Sequence, residues 1–232
     1  MGPPRLVQYR PTSFDQGGRL YAQTPSAQLF PKHLRVSLFG HTHFDVDMIQ
    51  AHYELIRNLS SSPHLLPAWQ MRQWVKSTWT SFGIPEFPDF EKQWPTRILN
   101  MATVQEMRNS LVKLGCRDIP GPLDAFIQHL YAAKMSVINQ PLSWCPRRCV
   151  EQDQGYSYRI LENIERTVLL KLLDTLQSLM SVESIVFIHD GFLIAPEPPP
   201  AVLQQAQTAV LSSLQILTVH SHSLNVSVSN PS

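Results

Sequence analysis

The stretch FDVDMIQAHYELI, residues 44–56, decides how we interpret the fold. In FDVDM (44–48) apolar and acidic residues alternate, which is typical of a strand with one face in water. From Met48 to Leu59 the apolar residues recur at helical spacing, and the proline-containing segment SSSPHLLP ends that run. The sequence therefore predicts a strand that carries acids near its end and leads directly into a helix.

A second informative stretch, SIVFIHDGFLI (184–194), lies far along the chain. Two short apolar runs flank His189-Asp190-Gly191, and this pattern predicts a β-hairpin with the polar tripeptide at its turn. Helical periodicity predicts helices at 123–138, 158–180 and 201–217, and LRVSLF (34–39) is expected to lead into a short strand. Together these elements predict an α+β fold, with a small antiparallel sheet that contains the hairpin and is backed by several helices.

The chain contains nineteen prolines and nine glycines, and the prolines divide it into short segments. We expect an irregular N-terminal arm at 1–33, one domain at 34–217 with a helical insertion at 67–140, and a flexible tail at 218–232. The insertion holds Trp69, Trp74, Trp79 and Trp94, whose spacing favours core packing over base stacking.

Composition limits the class of protein. The 232 residues are 43% hydrophobic and 16% charged, which is enough apolar material for a real core. A net charge of +1 gives no general affinity for nucleic acid, although local basic patches remain open. Three cysteines do not form a paired framework, no apolar run is long enough to cross a bilayer, and MGPPRLVQYR lacks an apolar signal region. We therefore expect an intracellular protein, cytoplasmic or nuclear, with no membrane partner.

Carboxylates occur inside both apolar stretches, as Asp45 and Asp47 in the first and Asp190 in the second. An ionised carboxylate in low dielectric is costly unless something compensates its charge, and a hard divalent cation does so. Two acids from separate strands suit a pair of ions about 4 Å apart, the arrangement used in phosphoryl transfer. Each aspartate could instead cap a helix or a turn, and that interpretation stays open.

The ordered pair of stretches resembles motifs A and C of a polymerase palm in the single-subunit class, which comprises family A DNA polymerases and phage-type RNA polymerases. In that class motif A is a strand ending in aspartate and entering a helix, and motif C is a β-hairpin with His-Asp at its tip. Similar stretches occur in polymerase-like proteins of mobile elements, viruses and protists.

The resemblance implies a palm-type nucleotidyltransferase, DNA or RNA polymerase-like, with catalytic Asp47 and Asp190. It implies Mg²⁺ or Mn²⁺ held by these two residues and Asp45. Its partners would be a nucleic-acid primer and template and nucleoside triphosphates. The supporting residues would be His189, Gln50 and Glu162.

The chain departs from the family in its fingers and thumb. For nucleotide binding the resemblance suggests Arg97, Arg108 and Lys113 in the middle segment, and their spacing differs from the fingers motif. Only 46 residues precede Asp47, too few for a full thumb. We therefore expect a polymerase-like enzyme, and the sequence leaves open whether it is incomplete or degenerate.

Two alternatives remain. The string HTHFD (41–45) predicts a metal-dependent hydrolase in which His41 and His43 share one face of a strand and bind Zn²⁺ together with Asp45. The other alternative is a non-catalytic remnant of a mobile-element polymerase, which binds partners through its proline-rich PEPPP segment. A palm requires the carboxylates of Asp47 and Asp190 to meet at shared metal ions, whereas the hydrolase requires the two histidines to converge.

Overall fold

The computed structural model describes residues 9–11, 20–22, 27–48, 50–60, 62–140, 156–188, 191–213 and 226–229. Within these ranges the fold is α+β, as the sequence predicts, with helices surrounding a small antiparallel sheet. The strands are β1 (Tyr9–Pro11), β2 (Leu20–Ala22), β3 (Phe44–Met48), β4 (Ser184–Ile188), β5 (Gly191–Ala195) and β6 (Val226–Ser229). The helices are α1 (Lys32–Phe39), α2 (Ala51–Ser60), α3 (Ala68–Ser81), α4 (Phe90–Leu99), α5 (Val104–Lys113), α6 (Gly121–Asn139), α7 (Tyr156–Leu179) and α8 (Pro200–Ser213).

The main sheet has the strand order β4-β5-β3-β6, and each neighbouring pair is antiparallel. The predicted hairpin is present as β4 and β5, whose register pairs Ile188 with Gly191. Strand β5 then pairs with β3, so that Val46 lies opposite Phe192 and Asp47 lies opposite Gly191. The two stretches that the sequence singles out are therefore adjacent strands of one sheet.

Strand β3 has one apolar and one polar face, as its alternation predicts. Val46 and Met48 are buried in the core, whereas Asp45 and Asp47 are half-buried on the opposite face. Burying apolar side chains releases about 25 cal/mol per Å² of surface removed from water, and a one-residue slip would place both acids in the core. The register of β3 is therefore fixed by hydrophobicity, and it directs both carboxylates away from the core.

The helices pack against the apolar face of the sheet through a continuous core. Helix α7 contributes the apolar stripe that its periodicity predicts, including Leu161, Ile164 and Val168, which are fully buried. Trp79 and Trp94 are also fully buried, with ring centroids 5.2 Å apart. The packing role expected for the tryptophans thus holds for these two, but not for Trp69, whose side chain is 55% exposed.

Three local expectations are wrong. Residues 34–39 lie in helix α1, because the carbonyl of Pro31 accepts hydrogen bonds from the backbone N–H groups of Leu34 and Arg35 and starts a helical turn. A six-residue segment is too short to distinguish helical from strand periodicity. The expected tail contains strand β6, whose VSVS sequence alternates as a strand does. The irregular arm contains the paired strands β1 and β2.

The helix predicted from Met48 begins instead at Ala51. Met48 is the last residue of β3, and Gln50 has a φ of 49°, in the left-handed region that ends the strand and starts the turn into α2. No helix in the described ranges is long and apolar enough to cross a membrane.

Candidate functional site

A cleft of about 350 Å³ opens at the carboxyl end of β3, where the chain turns into α2. Its walls come from β3, from the start of α2, and from α3, α4 and α7. Its polar lining residues are Asp47, Gln50, His52, Tyr53, Arg72, Lys92, Thr96 and Glu165. The cleft therefore combines acids and bases contributed by elements distant in sequence.

Asp47 and Gln50 come from the strand and the tight turn that follows it. Asp47 is half-buried on the polar face of β3. The side-chain amide of Gln50 donates a hydrogen bond to the carbonyl oxygen of Lys92, 3.3 Å away, which connects the turn to α4. The side-chain oxygen of Gln50 is buried and accepts no hydrogen bond within the described part of the protein. A buried acceptor of this kind is costly alone, and a donor group of a bound ligand would satisfy it.

Two cations face these groups from the helical insertion. Arg72 lies on α3 and Lys92 on α4, and both line the cleft. The Nε atom of Arg72 is buried and donates no hydrogen bond to any described residue. Burial lowers the pKa of Arg72, and the nearby carboxylate of Glu91 opposes that shift. An arginine stays charged in proteins, so its guanidinium is available for an anionic ligand such as a phosphate.

A buried polar contact joins α2 to α7. His52 Nε2 lies 2.7 Å from a carboxylate oxygen of Glu165, and the two side chains are 8% and 1% exposed. The ring of Tyr158 meets the His52 ring edge-on, with centroids 5.6 Å apart. This buried pair fixes the orientation of His52 at the wall of the cleft.

A second buried carboxylate positions α3. Glu54 on α2 accepts hydrogen bonds from Nε and Nη2 of Arg57, at 2.9 and 2.8 Å, through one of its oxygens. Its other oxygen accepts a hydrogen bond from the backbone N–H of Ala68, the first residue of α3. The residue before that helix is Pro67, which supplies no side-chain cap. Glu54 therefore caps α3 from outside and compensates the positive end of its dipole.

The predicted site residues fall into three groups. Asp47 and Gln50 line the cleft. Asp45 shares the polar face of β3 but does not line the cleft, and Glu162 is buried on α7, 5% exposed, outside the lining. His189 and Asp190 lie outside the described residues. The structure therefore describes the surroundings of Asp47, and on either side of residues 189 and 190 it describes the strands β4 and β5.

The expected nucleotide-binding residues do not lie in this cleft. Arg108 forms a two-pronged ion pair with Asp124, at 2.6 and 2.9 Å. The guanidinium of Arg97 lies over the ring of Phe87, 5.3 Å from its centroid, and Arg97 and Lys113 line a separate cleft of about 410 Å³. Their helices present these three residues outside the lining of the cleft that contains Asp47.

The residues that line the cleft but were missed are Arg72, Lys92, His52 and Glu165. The first two lie on helices whose approach to β3 is a tertiary contact that no local periodicity reports. The sequence did contain a signal for His52 and Glu165. His52 follows Asp47 by five residues, and Glu165 lies on the longest predicted helix.

The alternative metal site is not assembled as the hydrolase hypothesis requires. His41 lies in the exposed turn after α1 rather than on β3, which begins at Phe44. Both ring nitrogens of His43 have hydroxyl partners, Nδ1 with Thr42 at 2.8 Å and Nε2 with Ser184. Within the described ranges, no three His, Cys, Asp or Glu side chains form a group that could hold a metal ion.

Comparison with known proteins adds no family assignment. No protein-family model matches the sequence, and no curated protein matches it.

Proposed function

We propose that this chain is a palm-type nucleotidyltransferase, DNA or RNA polymerase-like, whose reaction centre is the cleft at Asp47. The observation that carries the proposal is the β3–β5 register, in which Asp47 lies opposite Gly191. Directly opposed residues in an antiparallel pair have Cα atoms about 4.5–5.5 Å apart, and consecutive Cα atoms in a chain are about 3.8 Å apart. Asp190 precedes Gly191 in the sequence. The connectivity therefore supports two carboxylates at one end of the sheet.

The donor set fits magnesium in kind. Asp45 and Asp47 are carboxylates on the polar face of one strand, and the buried oxygen of Gln50 adds an uncharged acceptor beside Asp47. Oxygen ligands of this type are the ones that Mg²⁺ and Mn²⁺ prefer, and Asp47, Asp190 and Asp45 would hold the ions. Bound there, the metal would stabilise the negative charge that develops during phosphoryl transfer.

The remaining groups of the cleft suit a triphosphate. Arg72 offers a planar fork of donors that matches phosphate geometry, and Lys92 adds a point charge. We assign the nucleotide-binding role to these two residues in place of Arg97, Arg108 and Lys113. The oxygen of Gln50 would accept a hydrogen bond from a substrate hydroxyl. Primer, template and nucleoside triphosphate are the proposed partners.

Primer extension tests the proposal. The full chain is incubated with a labelled primer–template and nucleoside triphosphates in Mg²⁺ or Mn²⁺. We expect Asp47→Asn and Asp190→Asn each to reduce incorporation by about 100-fold or more, as loss of a charge-stabilising group does. Asp174→Asn, at an exposed position on α7, is the matched control and should behave as the parent.

Metal binding supplies a readout independent of turnover. The signal of free Mn²⁺ in electron paramagnetic resonance should fall on titration with the parent protein and with Asp174→Asn, but much less with Asp47→Asn. Incorporation unchanged by both active-site substitutions would refute the enzyme assignment. Metal binding without any incorporation by the parent would instead favour the degenerate palm, and zinc bound through His43 would favour the hydrolase.

A further inference from the structure

Helix α3 carries an exposed aromatic side chain three residues before Arg72, which lines the cleft. Trp69 is 55% exposed, whereas Trp79 on the same helix is fully buried. The buried side of α3 includes Met71 and Val75, which pack in the core. Trp69, Gln73 and Lys76 recur at helical spacing on the opposite, exposed side. A single exposed aromatic ring is common on protein surfaces, and Trp69 becomes informative through the charged side chains next to it on the helix.

The charge around Trp69 has one sign on its own helix. Residues Ala68–Ser81 contain two cations, Arg72 and Lys76, and no acidic residue. Arg72 lies three positions after Trp69 and Lys76 seven, so these side chains are neighbours along one flank of the helix. The charge of Glu91 on α4 acts on the pKa of Arg72. The flank is therefore cationic with an aromatic ring at its amino-terminal end.

This flank continues into the cleft. Arg72 lines the Asp47 cleft, and its buried Nε atom has no hydrogen-bond acceptor among the described residues. A chain that passed from Trp69 to Asp47 would therefore meet an aromatic face, then a cation, then the acids. Aromatic rings that stack on bases, alternating with cations that contact phosphates, are how proteins bind single strands without sequence preference.

We propose that Trp69, Arg72 and Lys76 form a stacking platform that guides a single-stranded nucleic acid into the Asp47 cleft. This inference rests on the proposed function, since it names the strand that the same site would use. Trp69 stacks on a base and Lys76 contacts a backbone phosphate at the exposed end, while Arg72, which binds the triphosphate in the proposed function, lies where the strand meets the cleft. The net charge of +1 for the whole chain makes such a patch local rather than a general property of the surface.

The test measures the binding of a fluorescein-labelled oligo(dT) of twenty nucleotides by fluorescence anisotropy. The buffer contains EDTA, so that no metal-dependent reaction contributes to the signal. We expect Trp69→Ala to weaken binding by about 5- to 150-fold, the range measured for the loss of one stacked base. Trp69→Phe should keep most of the affinity because it keeps an aromatic face. Phe82→Ala is the matched control, since Phe82 is an aromatic residue 52% exposed at the other end of α3.

The salt dependence tests the cations separately. Loss of one phosphate contact lowers the slope of log K against log salt by about 0.7 for a single strand, so Lys76→Gln should reduce the slope by about that amount. Lys113→Gln on α5, an exposed lysine on another helix, should leave it unchanged. Trp69 and Lys76 are exposed, and an unaltered melting temperature would show that the variants are folded.

The two proposals fail in different ways. Parent protein that binds the oligonucleotide with the same affinity as Trp69→Ala overturns the platform and leaves the nucleotidyltransferase proposal standing. No binding by the parent at low salt also overturns the platform. Weakened binding by Trp69→Ala, with normal binding by Phe82→Ala, supports the platform even if Asp47→Asn has no effect on primer extension.

Discussion

Lys134 is a buried lysine whose ionisation should make the stability of the fold depend on pH. The side chain lies on α6 and is 1% exposed, and its Nζ atom donates a hydrogen bond to the carbonyl oxygen of Met101 at 2.8 Å. Burial lowers its pKa from 10.5 to about 8, and the charge of Glu106 opposes the shift only in part. The charged form of Lys134 is therefore disfavoured by folding.

The sign and size of the effect follow by linkage. Because the folded-state pKa lies below the unfolded value, the unfolded chain binds more protons between pH 8 and pH 10.5, and stability rises with pH in that window. The destabilisation by charged Lys134 is fully present below pH 8. Integrating the shift predicts that the native protein gains about 2.5 kcal/mol between pH 7 and pH 10 from this one group.

Urea unfolding of the parent and of Lys134→Met at several pH values measures this contribution. Groups common to both proteins cancel in the difference between their free energies of unfolding. We expect that difference to shift by about 2.5 kcal/mol in favour of the parent from pH 7 to pH 10. Lys171→Met, at an exposed position on α7, should give a difference that does not change with pH. A Lys134→Met difference that stays constant within about 0.5 kcal/mol would refute the assignment of a buried, easily deprotonated lysine.

Two further predictions concern the sheet and the cap of α3. Gly191→Ala should destabilise the fold by about 2 kcal/mol or more, because the added β-carbon would collide with the carbonyl oxygen of Val46 and lie 3.2 Å from Cα of Asp47. Thermal unfolding measures this, and Gly121→Ala, where a β-carbon meets nothing within 4 Å, should change little. Glu54→Gln should cost about 3 kcal/mol in urea unfolding, since it leaves the buried Arg57 guanidinium without its carboxylate. The double variant with Arg57→Gln should lose less than the two single losses added together, and strict additivity would contradict the contact.

The elements that the sequence predicts well are those whose signal is local. The stripe of α7 spans six turns and is buried as its period requires, and the alternation of FDVDM separates Val46 from Asp45 and Asp47. The hairpin at 184–194 follows from two apolar runs around a turn pair. In each case one element's own pattern determines which side faces the core.

The composition of the cleft could not be predicted because it depends on how distant helices meet. Arg72 and Lys92 are separated from Asp47 by turns whose angles the sequence does not specify. Arg97 and Arg108 do not line the cleft, because the orientations of their side chains direct one over Phe87 and the other to Asp124. For His41 the error was local, since the strand starts three residues later than HTHFD suggests.

The glycine of His189-Asp190-Gly191 has a structural reason that is independent of chemistry. Gly191 lies where β5 approaches β3 so closely that a side chain would meet the backbone of Val46, so any protein with this sheet would need glycine there. Gly191 therefore does not support the polymerase resemblance by itself. At this position the resemblance depends on Asp190, the residue before it. Residues 189 and 190 connect the paired Ile188 and Gly191, and such short connections accept asparagine as readily as aspartate, so Asp190→Asn should leave the unfolding free energy within about 0.5 kcal/mol of the parent. If Asp190 serves only the turn, this substitution will change neither stability nor incorporation; if it holds a metal ion, incorporation and Mn²⁺ binding will fall while stability is kept.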